Sequence, residues 1–286
     1  MKKKIFITGI SSPIMLNLIN LIQLSEYEII GLTRKRKLSL NNVTVLHGDL
    51  QELNNYDEII KECDIIIHAA AITHSHNKEE YFEINYKATE YLCKMIDLKK
   101  EVKFVFISSN TANKNSGEYA QSKFLAEKAI KKYCSNYLIL RPSEIYGSKS
   151  KEGIEDIITK VKTKKILFYP NKIPSKFSPI HIRDATNYIF HEIFEKSTNK
   201  NQTISINGNE LFSFYELYAL AEKTFKTKKI KISIPYFLMK FIDISLNTFP
   251  LKMGIYPDQI KRLYGIKSID ENLNFNKYNL KNYLLE

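Results

Sequence analysis

The chain of 286 residues has no apolar run of the roughly 18 residues that a membrane-spanning helix requires. It also lacks a secretory leader pattern: the apolar stretch after Lys2-Lys3-Lys4 breaks at Thr8-Gly9, without a small-residue cleavage site. The cytoplasm is therefore the expected compartment. Cysteine is scarce. Cys63, Cys93 and Cys134 stand far apart in no metal-ligand spacing, so free thiols in a reducing compartment are expected, and no metal. Arginine contributes only five of the 43 basic residues. A formal charge of +12 and a pI near 9.3 raise the question of nucleic acid or an anionic surface. Yet the excess is scattered lysine, clustered only at 2–4, 34–37 and 162–165, whereas bidentate recognition of bases and phosphates calls for arginine. No nucleic-acid partner is expected. A basic surface still attracts an anionic substrate such as a nucleotide diphosphate.

The hydrophobic fraction of 44% and charged fraction of 26% are those of an ordinary folded protein, long enough for one large domain or a domain with a subdomain. Over the first 140 or so residues, short β-branched runs alternate with helical patterns. Strands are expected over 4–8, 28–33, 43–46, 64–68, 102–108 and 137–141, with helices near 13–24, 54–61, 78–97 and 119–133. Unbroken apolar runs such as Ile65-Ile66-Ile67 and Phe104-Val105-Phe106-Ile107 suit strands covered on both faces. The fold class that follows is α/β, a Rossmann-like doubly wound parallel sheet. Residues 1–147 form the core, with the sheet completed by about 178–206. The segments 148–177 and 207–286 form a smaller C-terminal substrate-binding lobe, with helices near 154–161, 213–225 and 236–246.

Glycine is missing where a dinucleotide fold most needs it. The first βα turn requires glycine for the tight turn, for close approach to a pyrophosphate and for helix–strand packing. Here the turn reads Thr8-Gly9-Ile10-Ser11-Ser12-Pro13-Ile14-Met15, and only Gly9 remains of that pattern. Ser12 is small enough to donate to phosphate, and Pro13 suits a first helical turn. Acidic residues are absent from Thr33 through Asn42. An acid there holds the ribose 2′-hydroxyl of NAD, whereas an arginine such as Arg34 accommodates the 2′-phosphate of NADP. NADP is therefore favoured over NAD.

Ser108 and Ser109 end the strand over 102–108, and Tyr119-Ala120-Gln121-Ser122-Lys123 follows ten residues after Ser109. Positions four apart share a helix face, so Lys123 is expected beside the Tyr119 phenol, lowering its pKa toward neutrality for acid–base work. Ser109 would bind the reacting oxygen, with Ser108 and Thr111 as close competitors. The spacing alone is weak, since Tyr236 and Lys240 repeat it. Only the first pair follows a strand ending in serines.

These residues carry a resemblance. Thr8-Gly9, His47-Gly48-Asp49-Leu50, His68-Ala69-Ala70, Asn85 with Thr89, Ser108-Ser109, Tyr119 with Lys123, Leu140-Arg141-Pro142, Tyr146-Gly147 and His181-Ile182-Arg183-Asp184 occur in order. The chain resembles the extended short-chain dehydrogenase/reductases of the NAD-dependent epimerase/dehydratase family, in particular sugar-nucleotide 4-epimerases and 4-ketoreductases. The resemblance implies an NAD(P)-dependent enzyme acting by hydride transfer at C4 of a nucleotide-diphosphate hexose, in surface polysaccharide biosynthesis. It implies a cofactor site of Gly9, Ser11, Ser12, Pro13, Ile14, Arg34, Asp49, Leu50, Ala69, Ala70, Ala71, Asn85, Ser108, Tyr119, Lys123, Pro142 and Ser143. Ser109, Tyr119 and Lys123 would be catalytic, and Thr111, Lys176 and Arg262 would meet the substrate. It also implies a homodimer through the helices around 78–97 and 119–133. The lost glycines favour a rival, a non-catalytic dinucleotide-binding sensor or scaffold. His74 and His76 read as a polar loop. The aromatic, apolar stretch over 232–243 reads as core, dimer face or membrane-surface contact.

Overall fold

β-branched and aromatic residues alternate sides along each strand, and that alternation builds two apolar faces on one sheet. The computed structural model describes residues 2–96, 101–148, 152–196, 200–248, 256–270 and 277–285. Its strands are β1 (Lys3–Thr8), β2 (Tyr27–Thr33), β3 (Val43–His47), β4 (Ile65–His68), β5 (Lys103–Ile107), β6 (Tyr137–Pro142), β7 (Ile145–Tyr146), β8 (Ile166–Pro170), β9 (Ile180–His181), β10 (Gln202–Ile206) and β11 (Ile230–Ile234). Seven of them form a parallel sheet in the order β10-β6-β5-β4-β1-β2-β3. This is the doubly wound sheet that the sequence pattern predicts. Strand order reverses between β1 and β4, and ligands in such sheets bind in the crevice beyond the carboxyl ends at that reversal.

Ile5 and Ile7 of β1, with Ile67 and Val105, pack toward the helices Pro13–Ile19 and Ile182–Phe190. Phe6, Ile66, Phe104 and Phe106 point the other way, into a core shared with Ala88–Met95 and Glu118–Tyr133. Each such side chain contributes about 1.5–3 kcal/mol on burial, so a one-residue slip in register would reverse both faces at large cost.

The C-terminal lobe has its own core, where Tyr146, Val161, Leu167, Leu217 and Tyr218 join the helices Ile154–Thr163 and Phe214–Thr224. Its two strands, β8 and β11, pair in parallel and were not foreseen. They are short and preceded by lysines; β8 has no alternation, and the alternating isoleucines of β11 run straight into the apolar helix that follows. The first helix is also shorter than expected: it stops at Ile19, where the Leu21 and Ile22 N–H groups turn back to Leu18 and Ile19 carbonyls. The stretch near 54–61 begins as a 3-10 turn, Leu50–Tyr56, capped by Asp49, before Asp57–Glu62 becomes helical. The expected 78–97 helix is divided into Lys78–Glu80, a π turn at Tyr81–Lys87 and Ala88–Met95; its end at Asp97 lies outside the described residues.

Candidate active site

The Glu118–Tyr133 helix opens without a side-chain cap, because Gly117 precedes it with φ +93°. A Cβ at Gly117 would fall 2.4 Å from Asp258 Oδ1. Asp258 supplies the missing cap from 139 residues away: its Oδ1 accepts the Tyr119 N–H at 2.9 Å. An acid at a helix N-terminus satisfies an orphan donor and opposes the helix dipole. The Pro257–Leu263 helix thereby fixes the first turn that carries Tyr119.

Tyr119 is buried, and the Ser109 hydroxyl lies close enough to its phenol to favour the ionised form. The Arg262 guanidinium stands over its ring, 4.6 Å from the centroid. Burial and the Asp258 charge push the Tyr119 phenol upward, while Arg262 and the nearby Ser109 hydroxyl oppose that rise. This corrects the expectation of a phenol brought toward neutrality by Lys123. Lys123 lies fully buried, donates from Nζ to the Ile107 carbonyl at 2.8 Å, and sits 4.4 Å from the Phe106 ring centroid. Burial lowers its pKa to about 7, with Glu127 working the other way. The cation acting on Tyr119 is therefore Arg262, held by Asp258 at 3.6 Å.

The two serines separate by their partners. Ser108 is buried and donates to Glu127 Oε1 at 2.6 Å, beside a bidentate pair in which Arg141 donates to the same carboxylate at 2.8 and 2.5 Å. Ser109 remains half-exposed, within 2.8 Å of the Thr111 hydroxyl. That leaves Ser109, with Thr111 beside it, as the hydroxyl facing Tyr119. Asn110 between them carries a buried side-chain amide nitrogen without a hydrogen-bond partner among the described residues.

A clasp holds this corner of the sheet. Asn85 accepts the Ile72 N–H at 2.8 Å, donates to the Ile72 carbonyl at 3.0 Å, and donates to Ser122 Oγ at 3.1 Å. Ser122 in turn donates to the Tyr119 carbonyl at 2.8 Å. Below it, buried His68 bridges Thr8 and Thr89 at 2.6 and 2.9 Å and stacks on Phe106. Burial and Lys123 lower the His68 pKa to about 3, so the ring is neutral.

At the nucleotide end, Gly9 has φ +68°, and a Cβ there would come within 2.7 Å of the Ala70 nitrogen. Thr8 Oγ1 accepts the Ala70 N–H at 3.2 Å, so Ala69, Ala70 and Ala71 pass close over the turn. Ser12 caps the Pro13–Ile19 helix by accepting the Met15 N–H at 3.4 Å, with Ser11 and Ile14 on either side of the cap and its first turn. Met15 is fully buried in the core, taking the volume that a glycine would have left to closer helix packing. At the end of β2, Arg34 lies 3.7 Å from Asp49, which follows β3. The acid missing from 33–42 thus arrives from a neighbouring strand. Leu50 is buried in the core. A dinucleotide fits these residues: small side chains line the turn, and Lys123 has three donors of which Ile107 takes one.

Other predicted residues have partners of their own. Pro142 is buried and its carbonyl accepts the Asn110 N–H; Ser143 donates to the Ser178 carbonyl at 2.5 Å. Lys176 pairs with Glu216 at 3.2 Å on the lobe surface. His74 and His76 lie against the Tyr256 ring, with centroids 4.9 and 4.7 Å away. Sequence reasoning missed Asp258 altogether, since nothing in its neighbours marks a cap for a helix so distant in the chain.

The sheet, its crevice and the Ser-Tyr-Lys set define a dinucleotide-binding α/β protein of the short-chain dehydrogenase/reductase type. Residues 5–206 match the NAD dependent epimerase/dehydratase family, and the chain belongs to it; its members are NAD-dependent enzymes of the extended type. Two proteins of Dictyostelium discoideum are similar. Sterol-4-alpha-carboxylate 3-dehydrogenase, decarboxylating, is 24% identical over 267 residues, 82% of this chain and 80% of its own length. The mitochondrial NADH dehydrogenase [ubiquinone] 1 alpha subcomplex subunit 9 is 24% identical over 225 residues, 77% of this chain but only 62% of that subunit. Two solved structures share the fold. UDP-glucose 4-epimerase from Thermotoga maritima, with UDP-glucose, has a TM-score of 0.67 at 14% identity, covering 81% of this chain and 85% of that one. The dTDP-4-dehydrorhamnose reductase of Bacillus anthracis, in complex with NADP, has a TM-score of 0.66 at 19% identity, covering 83% and 86%.

Proposed function

We propose that the protein moves hydride between NADP, or less favourably NAD, and C4 of a nucleotide-diphosphate hexose, in cytoplasmic synthesis of surface polysaccharide. The observation that carries this reading is the Ser109–Tyr119 hydroxyl pair at the carboxyl end of the sheet, with Lys123 anchored to the Ile107 carbonyl on the same helix. When bound, the dinucleotide supplies or accepts the hydride at the sugar carbon. Ser109 donates a hydrogen bond to the C4 oxygen. Tyr119 gives its proton to that oxygen as the carbonyl becomes an alcohol, and the reverse transfer accompanies oxidation.

Tyr119 enters as the protonated phenol, the form that the reduction step consumes. Arg34, suited to a 2′-phosphate, supports a 4-ketoreductase over a 4-epimerase. Arg262, over the Tyr119 ring, is the substrate-facing cation of this reading, and Thr111 the neighbouring hydroxyl. Lys176, which pairs with Glu216 on the lobe surface, is the second cation of this reading.

Incubation with NADPH and 4-keto or 4-hydroxy sugar nucleotides tests the reading. Net NADPH oxidation marks a reductase, and C4 inversion without consumption an epimerase. Buried Met15 in the nucleotide turn favours the second reading, a non-catalytic dinucleotide sensor. Binding of NADPH without turnover of any sugar nucleotide would support the sensor. Failure to bind NADPH or NADH would remove both enzyme readings. The homodimer belongs to the same proposal and is checked by sedimentation velocity.

A further inference from the structure

We propose that the outer face of the C-terminal lobe docks this protein onto an anionic lipid surface. The inference stands apart from the reaction proposed above. The helix Tyr236–Thr248 carries two apolar stripes. Met239, Ile242 and Leu246, spaced i, i+3 and i+7, pack inward against Ile234, Ile260 and Tyr264. Phe237, Phe241 and Ile244, spaced i, i+4 and i+7, form the opposite stripe and are 74%, 65% and 55% exposed. A soluble helix normally keeps its outer face polar, whereas here Lys240, Asp243 and Ser245 are the only interruptions of the apolar run from Phe237 to Leu246.

A second apolar patch lies on the neighbouring sheet. In β8 and β11 the register sets Ile166 beside Ile230 and Phe168 beside Ile232, and all four are exposed on one face. Ile234, next on that face of β11, packs against the inner stripe of the helix, so the sheet patch lies beside the helix. Scattered exposed apolar residues need no explanation, but two clustered patches on neighbouring elements mark an interaction site.

Charge selects the occupant. Lys164 and Lys165 precede β8, Lys228 and Lys229 precede β11, and Lys240 sits within the helix. All but Lys229 are exposed. A second copy of this chain would bring the same positive border against it, whereas anionic headgroups complement that border while the aromatic side chains enter the acyl boundary. At 13 residues the helix is about 20 Å long, too short to cross a hydrocarbon core of about 30 Å, so it lies in the interface.

Vesicle flotation tests this. The protein should float with phosphatidylcholine–phosphatidylglycerol vesicles, less in high salt, and weakly with phosphatidylcholine alone. The F237S/F241S/I244S variant should bind at least about tenfold more weakly, and K164E/K228E should lose the salt-sensitive part. The chain has no tryptophan, so Phe241→Trp supplies a single-site probe whose indole emission should shift to the blue on adding the anionic vesicles. Wild type that fails to float, an indole emission that stays put, or undiminished binding by the triple variant would overturn the proposal. So would a solution dimer that the triple variant dissociates, since a second copy would then be the cover.

Discussion

Replacing Lys123 with methionine separates what this residue does for stability from what it does for function. The ammonium is fully buried, and burial brings its pKa from 10.5 down to about 7. At ~1.4 kcal/mol per pH unit, holding that charge in the folded state below pH 7 costs roughly 5 kcal/mol. Methionine has nearly the same shape and no charge, but it strands the Ile107 carbonyl, at about 1–3 kcal/mol. Lys123→Met should therefore be more stable than wild type by roughly 2–4 kcal/mol near pH 6. Between pH 7 and 10.5 the unfolded chain holds the lysine proton more tightly than the folded one, so wild-type stability gains from this group as pH rises. The advantage of the variant should shrink accordingly, by up to ~1.4 kcal/mol per unit. Urea unfolding of both proteins from about pH 6 to pH 9.5 measures it. A difference that stays flat across that range, or a variant less stable near pH 6, would refute the reasoning. Turnover should be lost in the variant throughout.

Removing Arg262 should let the Tyr119 phenol rise further, because Arg262 opposes the effect of burial. Arg262→Ala is expected to move the high-pH limb of the kcat profile upward, while Arg262→Lys restores part of it. Asp258→Asn should keep one hydrogen bond to the Tyr119 N–H but remove a negative charge that raises the phenol, moving the same limb downward. Arg34→Ala should weaken NADPH binding about tenfold or more and leave NADH nearly unchanged, as read by fluorescence titration. His68 is neutral in the fold with a pKa of about 3, against an ordinary value of 6.5. Stability present above pH 6.5 is thus lost as pH falls toward 3, by up to ~1.4 kcal/mol per unit, and His68→Gln should flatten that slope in urea titrations.

The doubly wound core was legible because its strands are buried on both faces and its serines, Tyr119 and Lys123 fall at fixed places around them. In the lobe the three helices were legible and the strands β8 and β11 were not. β8 has no alternation, and the alternating Ile230, Ile232 and Ile234 of β11 are exposed or half-buried and run straight into the apolar helix that follows. The relation between Tyr119 and Lys123 was legible in position but not in electrostatics: a shared helix face brought the two together, yet the buried ammonium turned to the Ile107 carbonyl. Asp258 was invisible because its partner backbone lies 139 residues away and no local pattern encodes that contact. The choice between Ser108 and Ser109 likewise needed Glu127, which only the fold brings under Ser108.

The central claim is that Ser109, Tyr119 and Lys123 carry hydride transfer to a sugar carbon. Transfer of deuterium from NADPH labelled at the reactive carbon to C4 of a 4-keto sugar nucleotide, followed by mass spectrometry, tests it most directly. Wild type should place the label at C4 and Tyr119→Phe should not, while still binding NADPH. No transfer from NADPH or NADH to any 4-keto sugar nucleotide, or undiminished transfer by Tyr119→Phe, would contradict the account.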